Sequence, residues 1–327
     1  MTSDSGPAIE TVDLKKSFAS TRAVDGLDLN VPRGAVYGLL GPNGCGKTTT
    51  IRLLSTLIRP DSGAARVLGH DVVTEADTVR SRISLTGQST TVDEELTGGE
   101  NLVLAGLLRG LRRGAARERA EQLLDAFDLA EAANRLLRTY SGGERRRIDI
   151  AASIVVTPDL LFLDEPTTGL DPRSRSRVWD IIRVMVDTGT TVLLTTQYLE
   201  EADRLARNIA FLDRGRVVAR GTPKQIREAA GNATLRLGLH DPRRRGEAED
   251  LLRRDFGART SWDPETGRLS VSISEAGLAA EAVTRLSQQG VEVSDFAADR
   301  PSLDEAFLAM TGYRATTAER EEEEAIR

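Results

Sequence analysis

A glycine-rich segment combines turn-forming glycines with a lysine and a hydroxyl, and reads Gly41, Pro42, Asn43, Gly44, Cys45, Gly46, Lys47 and Thr48. It lies between a β-rich run and a helical run, where glycines let backbone N–H groups turn inward at a helix N-terminus and bind phosphate. Lys47 supplies a positive charge for the β- and γ-phosphates, and the Thr48 hydroxyl is a candidate Mg²⁺ ligand. The segment predicts an ATP-binding phosphate loop that includes the next residue, Thr49. A glycine turn into a helix is the alternative.

Two adjacent carboxylates, Asp164 and Glu165, follow the apolar run 160–163. An apolar strand that ends in carboxylates is typical of a buried parallel strand whose carboxyl end meets a nucleotide. Neighbouring side chains on a strand point to opposite sides, so the pair predicts two different roles. We expect Asp164 to hold Mg²⁺, directly or through water, and Glu165 to polarise the water that attacks the γ-phosphate.

A third segment, Ser141-Gly142-Gly143-Glu144, opens a helical run over residues 145–156. Ser141 can cap that helix, and the paired glycines expose N–H groups that could bind another terminal phosphate. A helix cap alone is the alternative interpretation. The segment lies 94 residues after Lys47 and 23 before Asp164, and in this order it resembles the signature of the ATP-binding cassette (ABC) proteins.

The resemblance to ABC proteins covers residues 9–222 and implies roles for three more residues. Gln88 is similar to the Q-loop glutamine of the family, which touches the metal and senses the membrane partner. Asp171 is similar to the D-loop residue at the interface between two cassettes, where the signature residues also lie. Phe18 is the aromatic residue expected to stack on adenine, and a core phenylalanine is its alternative. The resemblance implies an ATP- and Mg²⁺-dependent hydrolase that works as a homodimer of cassettes.

Two positions depart from the family pattern. Glu144 stands where the signature usually has glutamine, and Gln197 stands in the place of the switch histidine. A glutamine amide can donate to a γ-phosphate or orient water, but it offers no imidazole. Because Glu165 is intact, we assign Glu165 and Gln197 as the catalytic residues and predict slow or regulated turnover instead of a dead site.

Within the ABC group, the chain resembles the ATP-binding subunits of the daunorubicin/doxorubicin-resistance exporters of actinobacteria. The resembling segments are 22–29, 140–143, 171–175, 195–198 and 302–308, and glutamine at the switch position is a mark of that subgroup. The resemblance implies a separate integral membrane permease that handles the small-molecule drug. It also implies a location on the cytoplasmic side of the cell membrane, as a peripheral protein.

The elements that must position these residues follow an alternating pattern over residues 9–221. Short β-rich runs alternate with helical segments, which predicts an α/β domain with a mainly parallel sheet. The β-rich runs are 35–40, 83–86, 160–163, 191–195 and 208–212. Strands are absent from 97–138, where Thr97 and Glu100 fit a capping box, so we predict a helical subdomain over about 97–158 within an ATP-binding domain at 9–230.

The C-terminal part has a different pattern. Strand-like runs at 234–239, 269–273 and 291–296 alternate with helical runs at 247–254 and 276–288. This β-α-β-α-β order predicts a small α+β accessory domain at 231–313, compatible with a ferredoxin-like unit. We predict a last helix at 302–311 with Leu303, Phe307 and Leu308 on one partner-contacting face, and core packing is the alternative. Residues 1–8 are expected to be a flexible lead and 314–327 an acidic tail.

Composition excludes several classes of function. The single cysteine, Cys45, cannot form an internal disulfide, and two distant histidines cannot build a histidine metal site. The net charge of −6 provides no general attraction to nucleic acid. No apolar run approaches the roughly 18–20 residues that cross a bilayer. Because Cys45 lies among inward-facing N–H groups beside Lys47, we expect its thiolate to be favoured, and a buried inert thiol is the alternative.

Two other functions remain open at this point. A soluble ABC ATPase could act on ribosomes or DNA, although such relatives usually have two cassettes, basic surfaces or long coiled coils. A nucleotide-gated switch with little turnover is motivated by Gln197. The residues do not identify the exported compound or distinguish ATP from GTP.

Overall fold

The computed structural model describes residues 6–87, 92–229, 233–264, 266–273, 278–299 and 302–311. The chain divides into two compact units, Met1–Thr222 and Pro223–Arg327. Within the described ranges, no helix is both long and apolar enough to cross a membrane.

The described residues of the first unit form ten strands and seven α-helices. The strands are β1 (Ile9–Phe18), β2 (Thr21–Val31), β3 (Val36–Leu40), β4 (Ser62–Val67), β5 (His70–Asp71), β6 (Ile83–Thr86), β7 (Leu160–Asp164), β8 (Thr191–Thr196), β9 (Asn208–Asp213) and β10 (Arg216–Gly221). The helices are α1 (Lys47–Leu54), α2 (Ala76–Arg82), α3 (Gly98–Leu108), α4 (Arg113–Ala126), α5 (Gly142–Ser153), α6 (Pro172–Asp187) and α7 (Leu199–Leu205).

A six-stranded sheet in the order β10-β9-β3-β8-β7-β6 forms the centre of the first unit. Every neighbouring pair is parallel except β9 with β10. Strands β3, β7 and β8 are buried along their whole length, as expected for parallel strands covered on both faces. The register pairs Leu40 with Thr196 and Asp164 with Thr195, so the carboxyl ends of these three strands meet at one edge. The predicted α/β fold is confirmed.

A second, antiparallel sheet has the order β2-β1-β4-β5 and was not predicted as a separate layer. The apolar face of this sheet packs in the same hydrophobic core as Leu53 of α1. Its residues there include Ile9, Leu14, Leu27 and Val31. The signal was present in the alternation of buried and exposed residues along β1, but register shifts at three places interrupt the strict period of two.

The helical subdomain carries α3, α4 and α5, with short 3-10 helices at Ala130–Ala132 and Leu137–Thr139. The predicted capping box at Thr97 is present: its hydroxyl accepts from Glu100 N at 3.2 Å, and Thr97 N donates to the Glu100 carboxylate at 2.9 Å. Gly110 follows the end of α3 in a left-handed conformation, whereas Gly114 lies inside the first turn of α4.

The second unit contains α8 (Pro223–Ala229), β11 (Ala233–Leu239), α9 (Arg245–Phe256), β12 (Arg259–Asp263), β13 (Arg268–Ile273), α10 (Leu278–Gln288), β14 (Val293–Asp299) and α11 (Leu303–Thr311), with a 3-10 helix at Pro242–Arg244. Its antiparallel sheet has the order β12-β13-β11-β14. From β11 to β14 the order is β-α-β-β-α-β, which is the ferredoxin-like arrangement. The predicted pattern lacked β12, an edge strand with only one aromatic residue among polar ones.

The boundary between the units lies at Thr222/Pro223, not between 230 and 231, because α8 packs on α11. Leu303 and Ala306 of α11 are buried, at 3% and 0% exposure. The predicted partner-contacting face is therefore wrong for Leu303, and the side chain of Leu308 and residues 312–327 lie outside the described ranges.

Candidate active site

The phosphate loop connects the buried end of β3 to the first residue of α1. Gly41, Gly44 and Gly46 have φ values of 154°, 80° and 111°, in the region that favours glycine. A Cβ at Gly41 would lie 2.2 Å from Leu212 O, and one at Gly46 would lie 2.2 Å from Ala23 O. Both glycines are therefore required by close backbone approach as well as by φ.

Lys47 is the first residue of α1 and is only 4% exposed. Its ammonium donates to Gly41 O at 2.7 Å and to Pro42 O at 3.1 Å, and it lies 3.6 Å from Glu165 Oε1. A buried cation at the N-terminus of a helix, inside a ring of loop carbonyls, is positioned for an anionic ligand. The side chains of Thr48 and Thr49 are half-buried in the first turn of the same helix.

The two carboxylates at the end of β7 point to different partners, as the sequence predicted. Asp164 is 3% exposed and accepts a hydrogen bond from the Thr195 hydroxyl of β8. Glu165 lies outside the strand with a φ of 49°, which costs energy for a residue with a side chain. That turn directs its carboxylate toward Lys47, while its backbone N–H donates to Thr195 O at 3.0 Å.

The oxygen ligands available here fit Mg²⁺ that is held partly by a nucleotide. Among the described residues, no group of three or more His, Cys, Asp or Glu side chains could hold a metal alone. Mg²⁺ is commonly bound by one or two protein oxygens together with substrate phosphates. The Thr48 hydroxyl and the Asp164 carboxylate are oxygen ligands of that kind.

The segment Ser141–Glu144 forms the start of α5 through a complete capping box. The Ser141 hydroxyl accepts from Glu144 N at 3.2 Å, and Ser141 N donates to the Glu144 carboxylate at 2.7 Å. Glutamate and glutamine both accept this bond, which explains why Glu144 can replace the usual glutamine. Ser141 and Gly142 are exposed, whereas a Cβ at Gly143 would lie 2.4 Å from Ser174 Oγ.

Arg146 of α5 connects three segments of the site and was missed in the sequence. Its guanidinium donates to Gly87 O and Pro166 O, both at 2.8 Å, and to Asp164 O at 3.2 Å. The side chain is 14% exposed and lies 3.5 Å from the Asp149 carboxylate. It therefore fixes the carbonyls on both sides of Glu165. No local sequence signal distinguishes Arg146 from its neighbours Arg145 and Arg147.

Glu201 of α7 is a second buried polar residue that sequence reasoning missed. It is 0% exposed and accepts from the Trp179 indole at 3.1 Å. Burial raises the pKa of the Glu201 carboxyl, and the nearby Thr196, Trp179 and Thr167 only partly oppose this. It lies four residues after Gln197, beneath the loop that carries it.

The other predicted residues have varied surroundings. Gln197 is exposed directly after β8, and Asp171 caps α6 by accepting from Arg173 N and Ser174 N at 3.0 Å. Phe18 at the end of β1 is 47% exposed, so it is not a core residue, and the Lys16 ammonium lies 5.7 Å from its ring centre. Gln88 lies outside the described residues. The roles of these residues stay predictions.

The expectation of a Cys45 thiolate is wrong. Cys45 is 4% exposed, and burial raises the pKa of its thiol, with the Lys47 charge opposing this only in part. The sulfur occupies the space beside Gly41, where a Cβ would lie 2.7 Å away. Cys45 therefore fills a small-residue position, because the N–H groups of the loop did not outweigh desolvation.

Known proteins resemble both units of the chain. Residues 24–168 match the family model described as ABC transporter, and residues 221–311 match that of the C-terminal domain of DrrA1-3-like ATP-binding proteins. The daunorubicin/doxorubicin resistance ATP-binding protein DrrA of Streptomyces peucetius is 59% identical over 322 residues, which cover 98% of each chain. The chain belongs to the ABC transporter ATP-binding family.

Two other similarities extend this assignment to the ABC family. Nod factor export ATP-binding protein I of Ralstonia nicotianae is 40% identical over 222 residues, covering 68% of this chain and 69% of its own. A solved structure of an ATP-binding subunit of an ABC transporter superposes with a TM-score of 0.62 at 29% identity, covering 68% of this chain and 92% of that one. The predicted ABC fold and ATPase class are thus confirmed.

Proposed function

We propose that this chain is the ATP-hydrolysing subunit of an exporter of anthracycline-like drugs. The observation that carries the proposal is the 59% identity to a daunorubicin/doxorubicin resistance protein over 98% of both chains. The match of residues 221–311 to the C-terminal domain of DrrA-like proteins supports it, because the ABC domain alone is common to exporters of many compounds.

The residues of the site divide the work of hydrolysis. The phosphate loop binds the phosphates through its N–H groups, and Lys47 exchanges its carbonyl partners at Gly41 and Pro42 for phosphate oxygens. Glu165 accepts a proton from the attacking water, and Gln197 donates its amide to the γ-phosphate. Thr48, Asp164 and Gln88 would hold Mg²⁺, which would neutralise charge on the phosphates.

The proposed assembly is a homodimer of cassettes with an integral membrane permease, at the cytoplasmic face of the membrane. Ser141, Gly142 and Gly143 of one copy complete the γ-phosphate site of the other, together with Asp171, and the permease carries the drug. The exposure of Gly142, the first residue of α5, supports this, since the first N–H groups of a helix have no partner within the helix.

Transport into inverted membrane vesicles tests the proposal. The chain is co-expressed with an integral membrane permease whose gene lies next to its own, and ATP-dependent uptake of daunorubicin is followed by its fluorescence. We expect uptake with the wild-type chain and none with Glu165→Gln. ATP hydrolysis without daunorubicin uptake, but with uptake of a lipid-linked oligosaccharide, would move the assignment to another class of exported compound.

A further inference from the structure

The turn between α3 and α4 carries an exposed surface that the nucleotide site does not use. We name residues 107–117 the arginine–leucine tip. Leu107 and Leu108, the last residues of α3, are 42% and 79% exposed, and Leu104 on the same helix is 41% exposed. Spacings of three and four residues place these leucines on one helix face. Leu108 is the most exposed large apolar side chain of the described residues.

The charges of this tip have one sign. Residues 107–117 include Arg109, Arg112, Arg113 and Arg117 and no acidic residue, although the whole chain has a net charge of −6. The guanidinium of Arg109 binds Ser84 Oγ at 3.2 Å and faces Ile83 O. Arg112, Arg113 and Arg117 are exposed, and none of the ion pairs among described residues includes them. The tip is therefore a local basic and apolar surface on an acidic protein.

We propose that the arginine–leucine tip is a contact for an anionic lipid surface. Guanidinium groups bind lipid phosphates, and neighbouring leucines enter the boundary between headgroups and acyl chains. An acidic protein helix would dock into an apolar groove between helices, but these three leucines lie on one face of a single helix, α3. The cleft of about 640 Å³ in the first unit is lined instead by residues at the end of α4 and along α6, such as Leu123 and the following Phe127, Ile181 and Met185.

The inference rests on the proposed location at the membrane but not on the permease or the exported compound. Each arginine near an anionic surface strengthens binding about fivefold, so neutralising three should weaken it on the order of 100-fold. Replacing Leu108 by a polar residue should weaken binding roughly tenfold. Salt should reduce the arginine contribution and leave the leucine contribution.

Co-sedimentation of the purified full chain with lipid vesicles tests this inference. Vesicles of phosphatidylcholine alone are compared with mixtures of phosphatidylcholine and phosphatidylglycerol. The test variants are Arg112→Gln/Arg113→Gln/Arg117→Gln together, and Leu108→Ser alone. A matched control removes three exposed arginines that form ion pairs with aspartates, through Arg183→Gln, Arg243→Gln and Arg253→Gln. Circular dichroism and ATP binding confirm that each variant is folded.

We expect the wild type and the control to bind the anionic vesicles, and both test variants to lose binding by the stated factors. Equal binding of the wild type and the triple test variant, or no binding of the wild type, would overturn the inference. A test variant that keeps vesicle binding but loses permease-dependent ATP hydrolysis would assign the tip to the permease instead. Drug uptake is measured separately, so failure of the lipid contact and failure of the proposed function are distinguishable.

Discussion

Arg146 offers a measurable link between helix α5 and the segment at the end of β7 that carries Asp164 and Glu165. Arg146→Met keeps most of the volume of the side chain but removes its donors to Gly87 O, Asp164 O and Pro166 O. A matched control is Arg145→Met on the next residue, whose guanidinium pairs with Glu94 at 2.7 Å near the surface. The two substitutions are identical in chemistry and differ in burial.

The expected loss of stability in Arg146→Met follows from the groups that the guanidinium contacts. Loss of the two 2.8 Å hydrogen bonds leaves the carbonyl oxygens of Gly87 and Pro166 without this donor, which costs roughly 1–3 kcal/mol each. The Asp149 carboxylate, which is 1% exposed, also loses the nearby cation. We therefore expect Arg146→Met to lower the free energy of unfolding of the first unit by about 3–5 kcal/mol. Arg145→Met removes a half-exposed pair and should cost less than about 1 kcal/mol.

Tryptophan fluorescence during urea unfolding measures this difference. The chain has two tryptophans, Trp179 in the first unit and Trp262 in the second, so a Trp262→Phe background makes the signal specific to the first unit. Without urea, Arg146→Met should bind ATP normally, since the phosphate loop is untouched, but hydrolyse it at least about tenfold more slowly. An unfolding free energy within about 0.5 kcal/mol of the Arg145→Met value would refute the reasoning.

Four other predictions follow from the same site. Glu165→Gln should keep ATP binding, stop hydrolysis and trap a dimer in Mg-ATP; a monomer by light scattering would contradict this. Gln197→His should preserve or raise basal hydrolysis, whereas a loss beyond about tenfold, or about 1.4 kcal/mol, would show that the amide is required. Glu201 has a raised pKa in the folded state, so its contribution to stability is full below the unfolded value of 4.5 and is lost as pH rises through the folded pKa. Glu201→Gln, which keeps an acceptor for Trp179, should therefore gain stability relative to the wild type as pH rises from 4 to 8 in urea unfolding, and a pH-independent difference would contradict this. Cys45 should react slowly with maleimide both with and without Mg-ATP, and mass spectrometry showing labelling as fast as in the unfolded chain would contradict its burial.

The parts of the site that sequence predicted correctly are those fixed by short-range geometry. The glycines at 41, 44 and 46 and the capping box at Ser141 each depend on residues within a few positions, so their spacing carries the information. The long apolar runs of β3, β7 and β8 identified the parallel sheet for the same reason.

The parts that sequence did not predict depend on contacts between distant segments. Arg146 is 59 residues from Gly87 and 20 from Pro166 along the chain, and nothing local shows that its side chain turns inward. The error at Cys45 has a related origin, because the residue also packs against a distant segment: its carbonyl oxygen accepts from Gly215 N, 170 residues further along the chain, at 2.9 Å. Strand β12 was missed because an edge strand needs little apolar patterning.

Arg146 also connects segments that belong to separate sequence motifs: the helix that follows Ser141–Glu144, the loop before residue 88 and the end of β7. Gly142, the exposed first residue of α5, is four residues before Arg146, or about 6 Å along the helix axis. Arg146 lies about one turn further along the same helix, so we expect a ligand that displaces Gly142 to displace the backbone of Arg146 with it. The guanidinium of Arg146 holds Asp164 O and Pro166 O on either side of Glu165, and Gly87 O directly before residue 88. We therefore expect occupation of the start of α5 to affect the position of Glu165, the proposed general base, through the bonds of Arg146 to Asp164 O and Pro166 O.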